Sequence, residues 1–240
     1  MKYWQKSLIV TLVTLTIGGI YLFTVWQRRH NPGVVPRDAQ RQVLSQDELV
    51  VMREFFPVHF EQTLRLEGTT VWEKNGYMMP YYPYVGGNVL FAKRAGVLPA
   101  AQRMDVKKIV KAAVPAAEQD KIEHGSRQAF AVFTMPGSPA LYATPIGYMR
   151  GSEEGYYSDL LFYYDDPHTI YDHWPKDVWA AVDAHQVKPG MSENEAAMAV
   201  GRNMEPDGET PGERTIHYDQ NGKHWTVTFL KNQAATIKVE

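Results

Sequence analysis

From Ser7 to Trp26 the chain runs SLIVTLVTLTIGGIYLFTVW, twenty residues without a charge. A helix of that length, at about 1.5 Å per residue, covers about 30 Å, the thickness of a bilayer hydrocarbon core. Thr11, Thr14, Thr16 and Thr24 can return their hydroxyls to helix carbonyls, and Tyr3, Trp4 and Trp26 stand where interfacial aromatics are favoured. The run therefore reads as a single N-terminal transmembrane helix, with the lipid bilayer as its partner through residues 7–26. A cleaved secretory leader has a shorter apolar region followed by small residues. Val25, Trp26 and Arg28 stand there instead, which favours an uncleaved anchor. Lys2 and Lys6 flank one end, and Arg28, Arg29, Arg37 and Arg41 the other. Counted alone, these charges leave the body in the cytoplasm, whereas folded bodies behind short anchors are often exported, so charge leaves the side open.

The other residues have the make-up of a folded protein. The whole chain of 240 residues is 44% apolar and 22% charged with a net charge of −2, which excludes a disordered or collagen-like chain. No basic run beyond the N-terminal flank offers a footprint for phosphates, so nucleic acid is not an expected partner. The absence of cysteine excludes disulfides, thiolate metal sites, a cysteine nucleophile and a lipid-modified cysteine.

Punctuation divides the chain into four parts. Residues 1–29 form the anchor, and residues 30–44, opening HNPGVVPR, read as a stalk that cannot continue the helix. Residues 45–173 read as a mostly-β domain with a leading helix. In that helix Ser45 and Glu48 make a capping box, and Leu49, Val50, Met52, Arg53 and Phe56 line an amphipathic face ending before Pro57. Short apolar runs follow: TLRLEG, TTVWEK, NVLFAK, QRMDVKKIV, RQAFAVFT, LYATPIGYM and DLLFYYD, separated by turn signals such as Gly86-Gly87 and Gly137. Five to seven strands so punctuated predict a small barrel or sandwich. Within them, AGVLPAAQRMDVKKIV resembles the entry to a strand in bacterial SH3-like barrels.

Residues 174–240 change texture. Pro175 opens a helix carrying Val178, Trp179, Ala181 and Val182, and Ser192 and Glu195 cap a second, which stops at Gly201. The runs RTIHYD, HWTVTFL and ATIKV then alternate as strands, the first two joined across Asn221-Gly222. This helix-helix-strand-strand-strand order, with Val187, Gly190, Met191, Ser192, Glu195, Val200 and Gly201, resembles the SmpA/OmlA (BamE-like) family of outer-membrane-assembly lipoproteins. Two departures stand out: there is no lipobox cysteine, and Asn203-Met204-Glu205-Pro206 follows where the family often has a proline just after the glycine. The resemblance implies protein recognition in the cell envelope and a body on the periplasmic side, and the unit also occurs in protein inhibitors of β-lactamase. The expected fold class is α+β: transmembrane helix, SH3-like β domain, BamE-like ααβββ module.

Two constellations are candidates for chemistry. In GYMMPYYPYVGG the rings of Tyr77, Tyr81, Tyr82 and Tyr84 alternate with prolines on what reads as a stiff loop, suited to stacking on sugars or on a proline-rich peptide. The bland reading is a hairpin whose rings cover a barrel edge. In YYDDPHTIYDHWP, Asp165, Asp166, His168 and His173 offer ligand types for a divalent metal, but the histidine spacing matches no metal-binding helix, and Asp-Pro turns and helix caps account for the same residues. No cofactor is implied. Neither a nucleophile elbow nor a phosphate-binding loop is present, and His217 and His224 read as a surface pair across the C-terminal hairpin. The expected function is non-catalytic: an envelope scaffold recognising another protein or cell-wall polymer. The alternative is an envelope hydrolase acting on peptidoglycan or glycans with the Asp/His cluster facing Tyr81 and Tyr82.

Overall fold

The computed structural model describes the backbone of residues 3–30, 45–74, 79–122, 126–201, 210–220 and 222–240, and their side chains except at 3, 5–11, 13, 28–30, 120, 121 and 220. Contacts divide the chain into two units, Met1–Ser45 and Gln46–Glu240.

The first unit holds helix α1, Tyr3–His30. Thr16 and Thr24 do return their hydroxyls to the carbonyls of Leu12 and Tyr21, both at 2.8 Å, and the rings of Phe23 and Trp26 stack at 6.1 Å. Among the described residues, however, no helix is long and apolar enough to cross a membrane. Thr14, Thr16, Gly18, Gly19, Tyr21 and Thr24 dilute the apolar character of α1. The transmembrane helix expected over residues 7–26 does not stand, and the bilayer contact loses the ground it rested on. The stalk at residues 31–44 lies outside the described residues.

The second unit begins with one 3-10 turn, Gln46–Leu49, after which residues 50–58 run as a strap with neither helix nor strand. The amphipathic helix expected here does not form. Val50 and Val51 are β-branched in tandem, and Pro57 bars its predecessor from the helical region. Helix α2, Phe60–Thr63, then passes into a 3-10 turn at Leu64–Leu66, so TLRLEG is helical where a strand was expected.

The body is one antiparallel sheet of nine strands: β1 Thr70–Glu73, β2 Pro80–Val85, β3 Asn88–Val89, β4 Gly96–Val97, β5 Arg103–Ala113, β6 Arg127–Thr134, β7 Tyr142–Arg150, β8 Glu153–Tyr156 and β9 Phe162–Tyr163. The order is β3-β2-β7-β6-β5-β1-β9, with β4 beside β2 and β8 beside β7. This replaces the expected small SH3-like barrel or sandwich. The reason lies in β6, where Ala129, Ala131 and Phe133 enter one core and Phe130 and Val132 another. A strand buried on both faces sits mid-sheet between two covering layers. The first layer contains Leu66, Leu161 and Phe60; the second contains Val114, Ile122 and Phe91.

Irregularities in the spine are accommodated locally. A bulge at Lys107 lets Lys107 and Lys108 both face solvent, and the neighbouring Ile109 N–H is taken by the Glu67 carboxylate at 2.8 Å. Pro145 is tolerated inside β7 because it flanks a second bulge opposite Ala129 and Phe130. Across β7 and β8, Gly147 faces Tyr156 and Tyr148 faces Gly155. Each tyrosine ring lies over the opposing glycine so closely that a Cβ on Gly155 would stand 2.3 Å from the Tyr148 ring.

Four short helices surround and follow the last strand of this sheet. Helix α3, Ser158–Leu161, precedes β9; α4, Pro167–Ile170, follows it; then come α5, Lys176–Asp183, and α6, Glu193–Val200. A separate meander of β10 Thr215–Gln220, β11 Lys223–Leu230 and β12 Gln233–Val239 closes the chain. Ser192 accepts from the Glu195 N–H at 3.2 Å, and Glu195 accepts from the Ser192 N–H at 2.7 Å, completing the capping box. Gly190 takes φ +87°, Met191 is 1% exposed in the core, and the turn between them and β12 is pinned by Gly190 N–H to Ala234 O at 3.0 Å. The β11–β12 hairpin turns on Lys231 and Asn232, both at positive φ, while Asn221 of the first hairpin lies outside the described residues. Phe162 belongs to the core of the large sheet, and its neighbour Tyr163 belongs to the core formed with α5, α6 and the meander.

Candidate functional site

The tyrosine-rich segment is strand β2, not a loop. Alternation sends Tyr82 into the core at 0% exposure, where its hydroxyl donates to Glu118 at 3.0 Å. Tyr81, on the other face, packs edge-on against Tyr142 at 5.2 Å and tilted against Phe133 at 6.4 Å. Tyr84 is half-buried against the same core as Tyr82. Tyr77 lies outside the described residues. The three described rings thus wall two cores instead of forming one exposed stacking platform.

The Asp/His cluster disperses: Asp165 and His173 go to different partners, and Asp166 and His168 pair at the start of α4. Asp165 faces Arg53 at 3.5 Å. Asp166 caps α4 by accepting the His168 N–H at 3.0 Å. His168 stacks on Trp179 at 4.0 Å with Nδ1 facing Asp166 at 2.9 Å and Nε2 facing Asp183 at 3.3 Å, so both ring nitrogens are engaged. His173 meets Asp47 at 2.6 Å. Among the described residues no group of three His, Cys, Asp or Glu could hold a metal ion. His217 and His224 do not face each other either: His217 meets Thr226 at 3.0 Å, and His224 meets Asp219 at 3.6 Å.

Of these residues Asp165 holds the strap and His173 the turn before it. Asp47, in the turn before the strap, is a three-donor acceptor for residues next to α5 and in α6. Its Oδ1 takes the Trp174 indole N–H at 2.7 Å besides His173, and its Oδ2 takes the Asn194 amide at 3.0 Å. Arg53 donates to the Tyr164 carbonyl at 2.6 Å and lies over the Tyr164 ring at 6.0 Å. The Asp159 carboxylate accepts the N–H groups of Phe55 and Phe56, each at 2.8 Å. Glu154 accepts the Phe60 N–H at 2.9 Å and the Tyr156 hydroxyl at 2.8 Å. Partial burial works against the Glu154 charge, but the Tyr156 and Phe60 donors and the nearby Lys111 hold its carboxyl below the usual range. Charge-assisted bonds of this kind are the stronger class, and they fix a segment that has no helix or ladder of its own.

So clamped, the strap turns Val50, Phe55 and Pro57 toward the protein and its other apolar side chains outward. Leu49, Val51, Phe56 and Val58 are exposed at 62%, 92%, 68% and 61%, with Met52 at 40% and neighbouring Leu160 at 52%. Phe56 carries φ +47°, a conformation bulky residues rarely adopt and one that costs on the order of 1–3 kcal/mol. A solvated apolar row on a strained, hydrogen-bonded backbone marks an interaction surface better than scattered apolar residues do. The sequence candidates do not include this site. Its usable signal is the end of LVVMREFFPV, where Phe-Phe-Pro blocks a helix and Val51 and Val58 fall off the amphipathic face.

Beside the clamp lies a buried ionisable group that the sequence does not point to. Glu73, at the end of β1, is 2% exposed, and burial pushes its carboxyl well above the ordinary carboxylate range. The adjacent Lys74 is pulled down by burial while Asp159 and Glu54 oppose the shift, and its ammonium donates to the Asp159 carbonyl at 2.5 Å.

A scan of protein-family models matches no family, and searches of curated proteins and of solved structures give no significant match.

Proposed function

We propose that this protein is a non-catalytic recognition module of the cell envelope whose strap binds another protein. The observation that carries the reading is the outward row of Leu49, Val51, Phe56 and Val58 on a backbone held by Asp159. Ordered presentation lowers the entropy lost on docking, which is what a binding surface needs and a solvated loop lacks. A protein partner is favoured over cell-wall polymer because Tyr81 and Tyr82 are occupied in packing. The hydrolase alternative loses support because Asp165 pairs with Arg53 and His173 with Asp47, while Asp166 and His168 contact each other only as a helix cap and its neighbouring stack on Trp179. The envelope placement, with the body on the periplasmic side, rests on the resemblance of residues 187–201 to the SmpA/OmlA family.

The test is photo-crosslinking in cells from Val51 and Phe56, with exposed Lys107 on β5 as the control position. A discrete protein adduct from the strap positions and none from Lys107 supports the reading. Release of wall fragments by the purified protein, abolished by His168→Ala, replaces it with the hydrolase.

A further inference from the structure

The charges around the strap say what kind of partner fits it. Between residues 46 and 61 stand Asp47, Glu48, Glu54 and Glu61 against one arginine, Arg53. Arg53 is committed to the Tyr164 carbonyl and to Asp165, and Lys74 gives its ammonium to the Asp159 carbonyl. Glu48, Glu54 and Glu61 are all exposed beside the apolar row. Lys111 lies over the Phe60 ring at 4.0 Å and acts on Glu154, so the surface is an apolar stripe whose exposed rim is dominated by Glu48, Glu54 and Glu61.

That rim discriminates among occupants. Anionic lipid headgroups would be repelled by it. A second copy docking strap to strap would set the same glutamates against one another, since a two-fold interface pairs a patch with itself. A basic partner gains where both of these lose. Resting on the reading of the strap as a protein-binding surface, we propose that its occupant is a protein segment in which apolar side chains are flanked by lysine or arginine. The apolar side chains cover Val51, Phe56 and Val58, and the cations meet Glu54 and Glu61. Contact with the rim sets the encounter rate and the choice of partner, while burial of the row supplies most of the hold.

Two short designed peptides serve as probes for the full-length chain, one of alternating leucine and lysine, the other its leucine and glutamate counterpart. The lysine peptide is expected to bind at least about tenfold more tightly, with the preference shrinking at high salt. Glu54→Lys combined with Glu61→Lys should reverse the order, and Val51→Ser combined with Phe56→Ser should weaken the lysine peptide by about tenfold or more. Unchanged far-ultraviolet dichroism and melting temperature would show that these surface variants remain folded. If both peptides bind alike and both are lost in the serine variant, the strap is a binding surface but the basic partner is wrong. Binding that ignores the serine variant overturns both readings. A concentration-dependent dimer abolished by the serine variant would make the occupant a second copy, against the proposal.

Discussion

Strand β2 and the strap are both rich in large side chains, and they dispose of them in opposite ways. In PYYPYV the ladder forces alternation, so Tyr82 goes to one core and Tyr81 to the other face, and the aromatic content is consumed by packing. In residues 50–58 there is no ladder and no helix, so no period dictates which side chains turn inward. Pro57 is buried, Phe55 is half-buried, and Val51, Phe56 and Val58 face water because Asp159 and Arg53 fix the backbone that way. Aromatic density in a sequence therefore predicts burial where a regular element imposes a face. Where side chains grip the backbone directly, the outcome depends on partners distant in sequence.

The largest effect should come from β2. Tyr82→Ala opens a cavity beside Phe91 and Phe130 and should cost about 3–5 kcal/mol in chemical denaturation. A loss below about 1 kcal/mol would mean that β2 is not the packed region and the contrast fails. Next is the clamp. Asp159→Ala removes the acceptor of the part-buried Phe55 N–H and leaves the exposed Phe56 N–H to water, for an expected loss of about 1–3 kcal/mol. Limited proteolysis should then cut within residues 50–58 before any other site; cleavage elsewhere first would show that Asp159 does not hold the strap.

Glu73 sharpens the same contrast through pH. Its carboxyl is raised in the folded state, so the neutral form is the compatible one: its contribution is full below the unfolded value of about 4.5 and is lost as pH rises toward the folded value. Glu73→Gln should therefore raise the melting temperature at pH 8 and change it little at pH 4. Every tenfold difference in proton affinity between the folded and unfolded chain corresponds to about 1.4 kcal/mol, or roughly 3–5 °C in a chain of this size. Equal effects at both pH values would mean that the buried carboxyl does not govern the pH response. The smallest effect belongs to the row itself: Val51→Ser should change stability by less than about 0.5 kcal/mol while weakening partner binding. A destabilisation above about 1 kcal/mol would mean that the row is covered by the protein itself.

Legibility follows the same divide. The capping box at Ser192 and Glu195, the turn at Gly190 and the stop at Gly201 are set by residues adjacent in the chain, and each is present where the sequence places it. Strand β6 is visible as QAFAVF, but its burial on both faces, which makes the sheet broad instead of barrel-like, depends on covering residues such as Phe91 and Leu161 far along the chain. The short segment DLLFYYD reads as one strand in the sequence and is a helical turn followed by two strand residues in the fold. The clamp is illegible for the most physical of reasons: Asp47 and Asn194 are 147 residues apart, and nothing local to either announces the other.

Phe162 and Tyr163 are consecutive residues of β9 with their side chains in different cores. The two cores meet there across a single peptide bond, with no linker between them. Rotation of this short strand would withdraw a wall from both at once. The second unit is thus expected to melt cooperatively, in a single transition, so that strain introduced by a ligand on one sheet is transmitted to the other and not absorbed at a hinge.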